Sequence, residues 1–230
     1  WVMANRALPG GGFRHDAIDR SGPYLGDTVS MARAFVALYG ATGDRQWLAR
    51  AQSAVQFIGK NFRDAQGAGF LTAKAPVNHG YTPYPQRDEN VMVARAANLL
   101  FHYTGNAAYE QLAKDAMRYL AAKPIVDRLP ASSALLADLE IGSEPLHLTV
   151  VGHKDDPAAQ NLFSAALRYP SDYKRLEWWD VREGRLPNPD VQYPQVKQAA
   201  AFICTNRTCS PPIMDPEKLA GRVDKLVSLR

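Results

Sequence analysis

Cysteine is scarce: Cys204 and Cys209 are the two in 230 residues. That excludes a disulfide-dense mini-protein. No Cys-x-x-Cys occurs, and no glycine-rich loop is followed by Lys-Ser/Thr, so neither a redox motif nor a phosphate-cradling motif is present. No run approaches the roughly 18 apolar residues of a membrane span. Charge is not blocked by sign either. The net charge is +4, with 27 basic against 23 acidic residues. The basic pair Lys174-Arg175 is soon interrupted by Glu177 and Asp180. Nucleic-acid binding usually needs a basic stripe. We therefore expect no nucleic-acid or membrane partner, no cofactor, no metal site and a cytoplasmic location.

What is present is ordinary globular material, 46% hydrophobic and 22% charged, enough for a sizeable core. No signal-peptide pattern opens the chain. Trp1-Val2-Met3-Ala4-Asn5 instead reads like the last turn of a helix already under way. The chain is expected to be part of a longer polypeptide.

The first half repeats. Val29-Ser30-Met31-Ala32-Arg33-Ala34 is followed by Leu38, Thr42-Gly43-Asp44, Trp47, Ala51, Ala54 and Phe57. Sixty-two positions on come Val91-Met92-Val93-Ala94-Arg95-Ala96, Leu100, Thr104-Gly105-Asn106, Tyr109, Ala113, Ala116 and Tyr119. Gly43 and Gly105 fit the left-handed residue that ends a helix. Asp44 and Asn106 fit the N-cap of the next. Residues 29–39 and 91–101 are apolar nearly all round, which predicts buried inner helices. Residues 45–58 and 107–120 carry a narrower stripe, which predicts half-exposed outer helices. The linkers echo each other too, as Pro9-Gly10-Gly11-Gly12-Phe13 and Gln66-Gly67-Ala68-Gly69-Phe70. A third inner helix is expected from Ala131-Ser132-Ser133 to Ile141.

After Gly142 the pattern changes. Pro145 to Gly152 reads as a strand, Asp155-Asp156-Pro157 opens a helix running to Arg168, and Leu176–Trp179 and Ala199–Cys204 read as further strands. Strand, helix, strand suggests a parallel unit. Residues 180–195 read as a loop, and Asp215 to Leu229 as a closing helix. Gly152, between strand and helix, reads as a turn glycine or an anion-holding one. The expected fold is mainly α. A partial α/α toroid of about three hairpins spans residues 1–142, and a small α/β subdomain spans 143–230. A partial ring needs a neighbour to cover its inner faces: the remaining toroid half or a dimer mate.

The inner-to-outer turns are tight, so chemistry is expected on the long outer-to-inner connections, residues 6–26 and 63–87. These are expected to share one rim, where inner-helix N-termini favour anions and polar ligands. The candidate catalytic residues there are Asp27, Glu89, His15 and His79. Arg14, Tyr24, Tyr81, Tyr84, Arg87 and Asp88, with Asp16 nearby, are candidates for ligand binding. Two carboxylates can serve as acid and base on a sugar, a histidine can shuttle a proton, and tyrosine faces suit C–H surfaces. Against this stands a plainer reading, in which Asp27 and Asp88 are ordinary first-turn acids and His102 and His147 are structural. For Cys204 and Cys209, three states are open: buried free thiols, a local disulfide, or a zinc site completed from His153.

The run Tyr39 to Ala51, the strand Pro145 to Gly152, and Ala201-Phe202-Ile203-Cys204-Thr205-Asn206-Arg207-Thr208-Cys209-Ser210-Pro211-Pro212 together resemble one family. It is the spermatogenesis-associated, thioredoxin-like family of bacterial and animal proteins, which joins a thioredoxin-like domain to an α/α toroid. The resemblance implies the C-terminal half of such a protein, preceded by a thioredoxin-like domain. Its toroid is similar to N-acylglucosamine 2-epimerases and six-hairpin glycosidases. The expected function is binding or transforming a sugar-like small molecule at the long-loop rim. The alternative is a non-catalytic scaffold for the thioredoxin-like partner, with a structural or redox cysteine pair.

Overall fold

A computed structural model describes residues 1–18, 22–74, 82–126, 131–205 and 208–228. The chain is mainly helical with a small α/β part, and it divides into two compact units. The first unit holds Trp1–Tyr39, Asp44–Phe101 and Asn106–Ser143. The second holds Glu144–Arg230 together with two short segments, Gly40–Gly43 and His102–Gly105.

The helices up to residue 141 are α1 (Val2–Asn5), α2 (Leu25–Thr42), α3 (Arg45–Asn61), α4 (Arg87–Thr104), α5 (Ala107–Leu120), α6 (Lys123–Val126) and α7 (Ser132–Ile141). Both ends of α2 lie 62 positions before those of α4. Gly43 and Gly105 sit at φ +65° and +67°, a conformation that only glycine adopts without strain. Asp44 and Asn106 then accept from the Gln46 and Ala108 N–H groups, as N-caps should.

The linker echo is equally physical. The Phe13 N–H donates to Thr28 Oγ1 at 3.1 Å, and the Phe70 N–H donates to Asn90 Oδ1 at 2.8 Å. Thr28 and Asn90 are again 62 positions apart, so each linker phenylalanine is tied to the start of the following long helix. Both rings are buried, and each closes an antiparallel bridge, Ala7 with Phe13 and Arg63 with Phe70. At Gly69 (φ +90°) an added Cβ would lie 2.8 Å from Asn90 and from Tyr119, so this tight turn requires glycine.

Packing follows the pattern on α3 and α5. Leu48, Ala51, Ala54, Val55 and Ile58 are buried on α3, and Tyr109, Leu112, Ala113, Ala116 and Leu120 on α5. Arg63 and Arg118 both pair with the buried Asp115 carboxylate on α5. In α4 only Asp88 is exposed, as an all-round apolar helix should be. α2 departs from that expectation. Its Ser30, Arg33, Ala34, Ala37 and Leu38 are exposed, because in this chain α2 packs on one side only. α7 likewise leaves Leu135, Leu136 and Leu139 exposed, while its Glu140 accepts two bonds of 2.7 Å from Arg95 of α4.

In the second unit, strand β1 (Leu146–Val151) leads through α8 (Pro157–Arg168) to β2 (Lys174–Trp179), and β3 (Ala200–Thr205) and β4 (Thr208–Cys209) follow. The sheet order is β2-β1-β3-β4. β1 and β2 are parallel, which requires the helical crossover; the other pairs are antiparallel. One face is apolar: Leu148, Val150, Leu176, Trp178 and Ile203 pack on Leu162 and Phe163 of α8 and on Leu219 and Val223 of α9 (Leu219–Val227). Gly152 is a packing glycine, since a Cβ there would meet the Cβ atoms of Ala199 and Ala159 at 2.9 and 3.0 Å. β2 is an edge strand, and the Tyr103 hydroxyl covers its backbone: Leu176 N–H donates to it at 3.1 Å and it donates to Leu176 C=O at 3.4 Å.

Cys204 and Cys209 are joined in a disulfide. The free-thiol and zinc readings both fall, because a paired sulfur is no thiolate ligand. The histidine across from Cys204 is His147, not His153.

Candidate functional site

The long connections meet through backbone bonds. Leu25 N–H donates to Thr72 C=O at 2.8 Å, and Thr72 N–H donates to Tyr84 C=O at 3.1 Å. Tyr24 bridges to Ala73, and Leu71 to Pro85. The segment around residues 71–74 therefore runs between the starts of α2 and α4.

Those starts bring three of the expected catalytic residues together. Asp27 and Glu89 are the same position of the repeat, 62 apart, each in the first turn of its helix. The Gly26 N–H, a first-turn donor with no partner inside α2, donates to the Glu89 carboxylate. An added Cβ on Gly26 would sit 2.8 Å from Glu89 Oε1, so glycine makes this approach possible. Asp27 Oδ1 lies 3.2 Å from His15 Nδ1, and His15 meets the Tyr24 ring edge-on at 6.3 Å.

The electrostatics differ between the two acids. Burial pushes the Glu89 carboxyl up to about 7; the Gly26 bond opposes this, and the nearby Asp27 charge adds to it. Asp27 Oδ2 and Glu89 Oε2 are buried, and among the described residues neither has a hydrogen-bond partner. Buried polar atoms are normally satisfied. Two such oxygens in one cluster can engage hydroxyl groups or water, Asp27 as acceptor and a protonated Glu89 as donor. A proton donor poised near neutrality beside a second carboxylate can do acid–base work.

The other candidates lie elsewhere. Tyr84, Arg87 and Asp88 line an open pocket of about 450 Å³ with Tyr119 and Ile125. Its described lining does not include His15, Asp27 or Glu89. Arg87 Nε pairs with Asp88 Oδ1 at 3.1 Å. Arg14 donates to the Asn5 carbonyl, and Asp16 Oδ1 accepts from the Ile18 N–H. His79 and Tyr81 lie outside the described residues.

Sequence reasoning missed a second constellation, on the other face of the sheet. His147, Thr149, Arg175 and Glu177 are all buried there. Glu177 Oε2 lies 3.0 Å from His147 Nε2 and 2.8 Å from Arg175, and Arg175 also donates to both Asp190 oxygens. The Tyr193 hydroxyl lies 2.7 Å from Thr149 Oγ1. The signal was the alternation in Leu146-His-Leu-Thr and Lys174-Arg-Leu-Glu, whose period of two puts the four polar residues on one face. His102, expected to be structural, is pushed down to about 4 by burial and by the Arg175 charge. A third group, His153, Asp155 and Asp180, brings its ligand atoms within 4.8 Å of one another. The Arg182 guanidinium already occupies it, pairing with Asp155 and Asp180.

No protein-family model matches the chain, and no curated protein matches it either. The fold and site define a class all the same: a helical-hairpin repeat with paired first-turn carboxylates, followed by a mixed four-stranded sheet. Among the described residues, no helix is long and apolar enough to cross a membrane.

Proposed function

We propose that the helical repeats belong to an α/α toroid that binds a sugar-like polyhydroxy ligand at the start of α2 and α4 and performs acid–base chemistry on it. The single observation that carries this reading is the convergence of Glu89 and Asp27, each with a buried oxygen that has no partner among the described residues. Sugar hydroxyls both donate and accept, so they can donate to Asp27 Oδ2 and accept from a protonated Glu89. Glu89, held protonated up to about pH 7, gives its proton to a leaving or ring oxygen. Asp27, oriented by His15, takes one from a hydroxyl or an attacking water. The similarity of the repeat to epimerase and glycosidase toroids supports the choice of ligand class by analogy. The resemblance to the thioredoxin-like family supports a thioredoxin-like domain as its neighbour.

The Gly26–Glu89 bond favours a second reading, in which Glu89 simply caps α2 and the module is a scaffold. Glu89→Gln separates the two, because a carboxamide oxygen still accepts from Gly26 but has no proton to give. Thermal unfolding against a panel of mono- and disaccharides is the test. We expect a sugar-induced rise in Tm that is lost in Asp27→Asn and Glu89→Gln, with circular dichroism unchanged. No rise with any sugar, or a rise that both variants retain, overturns the site.

A further inference from the structure

The loop after β2 is long, polar and proline-rich, yet it is anchored at several points. Arg175 and Asp190 form a bidentate pair at 2.6 and 3.1 Å. The Tyr193 hydroxyl reaches Thr149, and the Asn188 carboxamide donates to the His102 carbonyl at 2.8 Å. Leu186 is buried. Taking Arg175 and Glu177 out of water is costly, and apolar packing would hold a loop more cheaply. Long ordered loops with little secondary structure are uncommon in compact units and usually functional. What these anchors hold in place is a cavity of about 390 Å³, within the size range of small-molecule sites.

Its lining is chemically specific. Trp179 and Tyr193 form an aromatic wall, with ring centroids 5.5 Å apart. The indole Nε1 is tied to the Gly184 carbonyl at 3.0 Å and the Tyr193 hydroxyl to Thr149, so both rings are fixed in orientation. Asn188 and Gln192 also line the cavity. Arg185 also lines it, and among the described residues it makes no hydrogen bond or ion pair. Aromatic faces suit the C–H surface of a sugar ring, carboxamides suit its hydroxyls, and an unpaired guanidinium suits a carboxylate or phosphate.

We propose that this cavity binds an anionic monosaccharide, a pyranose carrying a carboxylate or a phosphate, with the ring on Trp179 and Tyr193 and the anion on Arg185. The site lies wholly in the second unit, whereas Asp27 and Glu89 belong to the first.

The Trp179 indole N–H gives an NMR resonance that Trp179→Phe identifies by its disappearance. The full chain is titrated with glucuronate, glucose 6-phosphate, glucose and inorganic phosphate. The expected result is a saturable shift of that resonance with the two anionic sugars. Glucose should bind about tenfold or more weakly, the difference a lost charge-assisted pair makes. Arg185→Ala, a change at an exposed position, should weaken the anionic sugars to the level of glucose, and Glu89→Gln should leave them unchanged. Three results overturn the proposal: no saturable shift with either anionic sugar, equal affinity for glucose, or binding indifferent to Arg185→Ala. Inorganic phosphate as good as glucose 6-phosphate removes the sugar and leaves an anion site only. If glucuronate alone binds, the ligand anion is a carboxylate; if glucose 6-phosphate alone binds, it is a phosphate.

Discussion

Asn90 and Thr28 hold equivalent positions of the repeat, but they carry different loads. Thr28 accepts one bond, from the Phe13 N–H. Asn90 accepts from the Phe70 N–H and donates to the Phe70 and Gln86 carbonyls. Both side chains are buried, so a lost partner strands a backbone group away from water. Thr28→Val should cost about 1–2 kcal/mol and Asn90→Leu about 3–5 kcal/mol. Urea midpoints at constant m value measure the difference; equal costs would mean that the linker bonds do not hold the linkers in place. At Gly26 the expected result is different. An added methyl meets only the end of the flexible Glu89 side chain, so Gly26→Ala should cost under about 1 kcal/mol. It should also move the Glu89 carboxyl out of its buried position, and its NMR titration should fall back towards the ordinary glutamate range.

Elements here are secured at their ends and edges. The edge strand β2 is protected by one hydroxyl, so Tyr103→Phe should leave Leu176 N–H and C=O unpaired at a cost of about 1–2 kcal/mol. Faster hydrogen exchange at the Leu176 amide would report it. The disulfide closes a loop with a sequence separation of only 5. Chain-entropy arguments then allow it about 2 kcal/mol, so a thiol reductant should lower Tm modestly without unfolding the chain. The same elements show what a sequence makes visible. Helix hairpins, their glycine ends and their Asp44 and Asn106 caps depend on neighbours a few positions away, and they are legible as such. The repeat extends that reach to 62 positions and marks out the long connections, and it was their shared rim that made Asp27 and Glu89 candidates. The exposed side of α2 was not, because burial depends on what packs against a helix rather than on its own pattern. The His147–Glu177–Arg175 network was not legible either. It needs the β1–β2 register across a helical crossover, and then Asp190 and Tyr193 from a loop with no periodicity to read.

Across the whole molecule, two half-buried titrating groups pull stability in opposite directions with pH. Glu89 is raised from 4.5 to about 7. Its neutral form is the one the fold prefers, so its contribution is complete below pH 4.5 and is lost as pH rises through about 7. His102 is lowered from 6.5 to about 4. Its neutral form is again preferred, so its contribution is complete above pH 6.5 and is lost as pH falls through about 4. Between pH 4.5 and 6.5 the two slopes oppose each other. Partial exposure to water reduces each to about 1–2 kcal/mol. The native chain should accordingly show a nearly flat stability profile across that interval. Glu89→Gln should leave only the histidine slope, a steeper loss of Tm on acidification below pH 6.5. His102→Leu should leave only the glutamate slope, a rise in Tm as pH drops from 7 towards 4.5. Melting curves of the three proteins across this range decide the matter. Parallel profiles would mean that neither group titrates away from its ordinary range, and the acid poised at the start of α4 would then have no physical basis.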